Sequence, residues 1–215
     1  MSRTRLFRIV ACVLALFLLQ TGCLRERRTP VDTGACPAAA LRWLTSPNRK
    51  ERKLSRYDFL IRKYAGRIGM DWRLLAAIIF QESQFNEDAE SNKSAKGLMQ
   101  IRDVTAEHYG VDPEYLFDPD TNVFVGTRLL ADLLRGFRAE GLDSVNVVRF
   151  TLASYNSGGG ALAKRREEAA EAGLDPNEWE AVAEIYRRKS NITPAYITAI
   201  EETYEAYKEA TTPVE

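Results

Sequence analysis

Residues 71–85 of this 215-residue chain read DWRLLAAIIFQESQF and predict the central helix of its fold. Residues 74–80 are apolar without a break, and no glycine or proline interrupts them. A helix that is apolar on every side belongs in the centre of a domain rather than at its surface. Asp71 carries the short acceptor side chain typical of an N-cap. The sequence therefore predicts a buried helix from residue 72 to about residue 84.

The chain from about Leu54 onward follows a helical pattern on both sides of this stretch. A first helix is predicted from apolar residues at three- and four-residue spacing, namely Tyr57, Leu60, Ile61, Tyr64 and Ile68. Further helices are predicted at 104–109, 122–137, 144–156, 176–187 and 194–208. No β-branched run alternates long enough to indicate a central strand. We therefore expect an all-α domain with little or no sheet.

Composition limits the domain count and the class of partner. With 45% hydrophobic and 28% charged residues, the chain can form one well-packed domain, which we place at 53–210. The formal charge of zero gives no broad basic surface for a nucleic acid. His108 is the sole histidine, and no group of cysteines and acids has the spacing of metal ligands. We expect a monomer with no metal and no cofactor.

The N-terminus has the features of an export signal. Three arginines precede an apolar run at 9–19, which at about 11 residues is too short to span a bilayer. The run leads to Thr21-Gly22-Cys23, which resembles the bacterial lipoprotein signal, although Gln20 stands where an aliphatic residue is usual. We expect cleavage after residue 22, acylation of Cys23 and a tether at 23–52. An ordinary secretory signal is the alternative.

Glu82 is the candidate for chemistry. It follows Leu75, Ile78 and Ile79 at i+7, i+4 and i+3, so it lies on the apolar stripe of its helix. Desolvation and the negative end of the helix dipole both disfavour the carboxylate, so we expect a raised pKa. A carboxyl group that stays protonated near neutral pH can act as a general acid. The alternative is an ordinary solvated glutamate near a helix end.

Two further segments have residues suited to a neutral polyhydroxyl ligand. They are GLMQ at 97–100 and ASYNSGGG at 153–160. Glycine lets a ligand approach the backbone closely, and Tyr, Asn and Gln are neutral hydrogen-bonding side chains. The alternatives are a core Leu-Met pair in the first segment and a glycine C-cap in the second.

Together these segments resemble the catalytic domain of the soluble-lytic-transglycosylase family, which shares its fold with goose-type lysozymes. The family pattern is matched in order and spacing by Glu82-Ser83, Phe85, 91–100 and 153–158. The stretch at 71–85 is especially similar to membrane-bound F-type members. The resemblance covers about Tyr57 to Tyr204 and implies a lysozyme-like helical fold.

The resemblance also implies roles for individual residues. Glu82 matches the family's single catalytic acid/base, and Tyr196 looks like its C-terminal tyrosine, with a core aromatic as the alternative. The matched substrate-binding positions are Ser83, Ser91, Gly97, Leu98, Met99, Gln100, Tyr155, Asn156 and Tyr196. The sequence departs from the family at Ser94, where glycine is usual, and at Arg102-Asp103, which replace an apolar residue and a proline.

The implied activity is cleavage of peptidoglycan glycan strands between N-acetylmuramic acid and N-acetylglucosamine to give 1,6-anhydro ends. Two alternatives stay open, namely goose-type hydrolysis and a peptidoglycan-binding lipoprotein without turnover. Glu87, Asp88 and Glu90 could supply a second carboxylate, but their polar surroundings favour a solvated loop. Leu24 after the acylated cysteine favours the outer membrane if the host has one.

Overall fold

The computed structural model describes residues 55–211, which form a bundle of helices. The eight α-helices in this range are α1 (Asp58–Ile68), α2 (Trp72–Ser83), α3 (Asp103–His108), α4 (Pro119–Ala139), α5 (Ser144–Ser157), α6 (Gly159–Glu171), α7 (Trp179–Lys189) and α8 (Ile192–Thr211). A short 3-10 helix, Pro113–Phe117, lies between α3 and α4. Extended pairing among residues 55–211 is limited to two isolated bridges in the loop after α2. The predicted all-α class is confirmed.

Helix α2 lies at the centre of the bundle, as its apolar sequence predicts. All six residues from 74 to 79 are buried. The helix begins where the Asp71 side chain accepts a hydrogen bond from the amide of Arg73. It ends at Gln84, whose φ of 53° lies in the left-handed region. Helices α8 and α1 pack against α2 and cover its apolar surface.

The remaining helices form a second layer that orients the end of α5. Helix α5 packs against α4, α6 and α8. Its Phe150 is fully buried and packs edge-on against Trp179 of α7, with ring centroids 5.9 Å apart. These apolar contacts fix α5, so the last turn of α5 has a defined position beside the first turns of α8.

One helix was not predicted from the sequence. Gly158, which has a φ of 86°, follows the last residue of α5, and helix α6 starts at the next residue, Gly159. Glycine is a poor helix former, and α6 buries only Leu162 and Ala169, so its apolar stripe is too thin to detect.

Three predicted helix starts are displaced. Helix α4 begins at Pro119, three residues before the predicted start at 122. Pro176 lies before α7, because the Asp175 side chain accepts from the amide of Asn177 and closes a turn there. Helix α8 begins at Ile192, two residues before Pro194.

Several expectations lie outside the described residues. They are the signal at 1–22, the acylated Cys23, the tether at 23–52 and the C-terminal residues from 212. Within 55–211, no helix combines the length and the apolar character that a bilayer crossing requires. The same range contains no group of histidine, cysteine and acidic side chains arranged to hold a metal ion.

Candidate active site

The last turn of α2 meets the first turns of α8 at a direct side-chain contact. The hydroxyl group of Tyr196 donates a hydrogen bond of 2.6 Å to Oε1 of Glu82. Tyr196 is 7% exposed, so its position is fixed by packing, whereas Glu82 is half-buried. The contact joins residues 114 positions apart in the sequence. It leaves Oε2 of Glu82 as the oxygen available to a ligand.

The surroundings of Glu82 change its acidity in the expected direction. Burial raises the pKa of Glu82 from 4.5 to about 7, and the hydrogen bond from Tyr196 opposes this rise. No second carboxylate among the described residues contributes to this pKa. At neutral pH the group therefore populates both the acid and the carboxylate, as a proton donor and acceptor requires.

Two tyrosines line the Glu82 carboxyl group as neutral hydroxyls. Burial, together with the negative charge of Glu82, raises the pKa of both Tyr155 and Tyr196 well above the ordinary value. The hydroxyl group of Tyr155 donates a hydrogen bond of 2.7 Å to the carbonyl oxygen of Met99. Tyr155 thereby links the end of α5 to the loop at 97–100. The two predicted segments and Glu82 therefore come together in space.

Ser83, the last residue of α2, is hydrogen-bonded to this loop. Its hydroxyl donates to the carbonyl oxygen of Leu98 at 2.8 Å, and the residue is buried. The structure therefore places Ser83 in contact with the loop backbone. This hydrogen bond fixes the position of the loop relative to Glu82, the residue that precedes Ser83.

Leu98 and Met99 are core residues in this structure. Both side chains are fully buried, so only their backbone carbonyls face the neighbouring site residues Ser83 and Tyr155. Gly97 has a φ of 73°, and a Cβ there would lie 2.3 Å from Nδ2 of Asn122. Glycine at 97 thus allows close packing between the loop and α4.

Asn122 organises the loop and was missed at the sequence level. Its Oδ1 accepts from the amide of Met99 at 2.7 Å, and its Nδ2 donates to the carbonyls of Lys96 and Leu116 at 2.8 and 2.7 Å. The residue is fully buried on α4. A signal was available, because Asn122 falls at i−8 and i−12 from the buried Leu130 and Leu134. A polar residue on an apolar stripe needs buried partners.

Ser91 and Gln100 close the two ends of the loop. The Ser91 hydroxyl accepts from the amides of Lys93 and Ala95, while Gln100 donates to the carbonyls of Ala89 and Gly97. These side chains form the turn itself.

The departure at Ser94 falls at a strained backbone position. Ser94 has a φ of 55°, in the left-handed region that favours glycine. The loop keeps its turn despite the serine, with the amide of Ser94 donating to the carbonyl of Ser91 at 2.9 Å.

Asn156 lies in the last turn of α5 and is exposed. Its Oδ1 accepts a hydrogen bond of 2.9 Å from the hydroxyl of Thr193, which is buried in the first turn of α8. The Thr193 side chain thereby joins α8 to α5. Helices α2, α5 and α8 thus converge on one site.

The acidic residues after α2 are engaged elsewhere or exposed. Glu87 accepts from the Tyr57 hydroxyl at 2.5 Å and pairs with Arg56 at 2.8 Å. Asp88 and Glu90 are exposed. Glu87 is thus paired with a cation as well as a hydroxyl, whereas Glu82 accepts from Tyr196 and has its pKa raised by burial.

Comparison with known sequences matches the region that contains most of this site. The sequence model of the transglycosylase SLT domain matches residues 59–177. The membrane-bound lytic murein transglycosylase F of Desulfosudis oleivorans is 41% identical over 137 residues, which cover 62% of this chain and 29% of that protein. Its namesake from Marinobacter nauticus is 37% identical, covering 63% and 26%. The chain thus spans less than a third of the length of these curated relatives.

Solved structures show the same fold. An inactive mutant of the lytic transglycosylase Slt from Pseudomonas aeruginosa superposes with a TM-score of 0.59 at 21% identity, covering 79% of this chain and 27% of that one. The 70 kDa soluble lytic transglycosylase of Escherichia coli gives a TM-score of 0.58 at 25% identity, covering 76% and 26%. The helices that carry Glu82 and Tyr155 lie within the family match, whereas Thr193 and Tyr196 lie beyond it.

Proposed function

Because the chain belongs to the transglycosylase SLT domain family, we propose that it is a peptidoglycan lytic transglycosylase. Its substrate is the β-1,4 bond between N-acetylmuramic acid and N-acetylglucosamine, and its products carry 1,6-anhydromuramyl ends. The observation that carries the proposal is the half-buried Glu82 carboxyl with its pKa of about 7 and its hydrogen bond from Tyr196. No cofactor or metal is needed for this reaction.

Glu82 acts first as an acid. With Oε1 bonded to Tyr196, the proton resides on Oε2 and passes to the glycosidic oxygen as the bond from that oxygen to C1 breaks. The sugar ring develops positive charge at C1 and Glu82 becomes a carboxylate. The Tyr196 hydroxyl stabilises that carboxylate by donating a hydrogen bond to it.

Glu82 then acts as a base. Its carboxylate removes the proton from the C6 hydroxyl of the muramyl residue, and O6 closes on C1 without consuming water. The nucleophile belongs to the substrate, so its effective concentration is high and no second carboxylate is required. This agrees with the surroundings of Glu82, where burial and Tyr196 alone set its pKa. Most glycosidases, in contrast, use a pair of carboxylates.

Mass spectrometry of the released muropeptides tests this proposal. The full chain in detergent is incubated with purified sacculi, beside Glu82→Gln and, as a matched control, Glu202→Gln, whose side chain is exposed on α8. We expect products lighter than reducing muropeptides by one water from the parent and from Glu202→Gln, and none from Glu82→Gln.

The competing functions give different products. Reducing ends would assign the chain to hydrolysis of the goose-type lysozyme kind. Pelleting with sacculi without soluble product would leave a peptidoglycan-binding protein without turnover. Activity that survives in Glu82→Gln would contradict the role given to this residue.

The lipid anchor is a separate part of the proposal. The sequence around Cys23 resembles a lipoprotein signal, and the similar F-type proteins are named as membrane-bound. We expect acylation of Cys23 and attachment to the periplasmic face of a membrane, the outer one if the host has two, as a monomer. Labelling with palmitate in the expression host should be lost in Cys23→Ala and kept in Cys36→Ala. Equal labelling of both variants would contradict the assignment.

A further inference from the structure

Thr193 lies in the first turn of α8, three residues before Tyr196, but takes no part in the proposed chemistry. Its neighbour Ile192 is 73% exposed, and Asn156 is exposed, whereas Thr193 itself is 5% exposed. A buried threonine is therefore in contact with an asparagine that is exposed to solvent. Their contact is the 2.9 Å hydrogen bond from Oγ1 of Thr193 to Oδ1 of Asn156.

This hydrogen bond defines the orientation of the Asn156 amide. The terminal torsion of asparagine is broad and roughly two-fold, so an exposed amide without a partner turns easily. Threonine is stiff about χ1, and burial in the first turn of α8 restricts it further. Donation to Oδ1 fixes the oxygen toward α8 and leaves Nδ2 facing away. Nδ2 of Asn156 makes no hydrogen bond to any residue between 55 and 211.

We infer that Thr193 is a positioning residue that holds the Asn156 amide with Nδ2 directed at the glycan, where it donates a hydrogen bond to an acceptor oxygen of the bound strand. The inference rests on the proposed function for the identity of the ligand. Because the amide is already oriented in the free protein, the entropy cost of ordering it does not have to be met on binding. Asn156 bonds to the first turn of α8, the helix whose Tyr196 bonds Glu82, so the proposed contact belongs to the same site.

Binding of soluble glycan strands to the full chain in detergent tests this inference. All variants carry Glu82→Gln, so that no turnover occurs, and affinity is measured by calorimetry. Thr193→Val keeps the shape and removes the hydroxyl, and we expect binding about fivefold weaker, equivalent to about 1 kcal/mol. Thr193→Ser retains the hydroxyl and should bind within about twofold of the parent. Asn156→Asp keeps an oxygen for Thr193 but has no N–H, so it should weaken binding at least as much.

A double-mutant cycle separates positioning from general packing. In an Asn156→Ala background, Thr193→Val should have no further effect on affinity, because the group through which it acts is missing. Unfolding by urea should be similar for Thr193→Val and the parent, since exposed Asn156 can bond to water instead. Unchanged affinity in Thr193→Val, or an equal loss with and without the Asn156 side chain, would overturn the inference.

A measurement without substrate keeps the test independent of the proposed function. The side-chain amide signal of Asn156, assigned by its absence in Asn156→Asp, should move in Thr193→Val and stay in place in Thr193→Ser. If the Asn156 amide signal does not change in Thr193→Val, the hydrogen bond between Thr193 and Asn156 is refuted. If the cycle and the signal behave as expected while wild-type products carry reducing ends, the transglycosylase proposal fails and the positioning role stands.

Discussion

Replacing Glu82 with glutamine should stabilise the folded protein relative to the parent, and this difference should grow as the pH rises. The folded-state pKa of about 7 lies above the ordinary 4.5, so the folded protein holds this proton more tightly than the unfolded chain does. The stability that follows is fully present below about pH 4.5 and is lost as the pH rises through about 7. Above about pH 7, folding places the negative charge of the Glu82 carboxylate in a half-buried site. Glutamine avoids this penalty and can still accept from Tyr196.

The size of the effect follows from the two pKa values. They differ by about 2.5, and each pKa unit corresponds to about 1.36 kcal/mol, which sets an upper limit of about 3.4 kcal/mol. Glu82 is half-buried, and solvent screening reduces the limit to about 2 kcal/mol. We therefore expect the stability difference between Glu82→Gln and the parent to grow by about 2 kcal/mol between pH 4.5 and pH 8.

Urea unfolding at pH 4.5, 6, 7 and 8 measures this difference. Other groups titrate over the same range, but they are common to both proteins and cancel in the comparison. Glu202→Gln, with an exposed side chain, provides the control and should show a flat difference. A difference for Glu82→Gln that stays constant within about 0.5 kcal/mol across this range would refute a desolvated Glu82.

Four further substitutions test how the site is built. Tyr196→Phe removes the hydrogen bond that lowers the pKa of Glu82, so the alkaline limb of kcat/KM should move to higher pH, and an unmoved limb would contradict that role. Gly97→Ala places a Cβ 2.3 Å from Asn122 at positive φ and should cost about 2 kcal/mol or more in urea unfolding, whereas Gly66→Ala, with open space, should cost nothing. Asn122→Ala removes the hydrogen bonds to the Met99 amide and to the Lys96 and Leu116 carbonyls and should cost about 3 kcal/mol, with loss of sacculus lysis. Ser94→Gly relieves a left-handed serine and should stabilise the protein by about 0.5 kcal/mol with lysis retained, and a loss of stability would show that the serine side chain contributes to the turn.

The helices that the sequence predicted well are those with a strong apolar pattern. Helix α2 is apolar on all sides and α1 has a clear stripe, so burial alone specifies them. Helix α6 escaped prediction because it starts in glycines and buries two residues. Its helical state depends on packing against α5 and α7, which is a tertiary contact.

The helical class, the place of Glu82 on an apolar stripe and the direction of its pKa change are all readable in the sequence. They follow from the periodicity of apolar residues along a helix, which is a local property. The bonds from Tyr196 to Glu82, from Asn122 to the loop and from Thr193 to Asn156 are visible in the folded structure alone. Each of these bonds joins residues at least 23 positions apart, and a hydrogen bond forms only when packing brings donor and acceptor within about 3 Å.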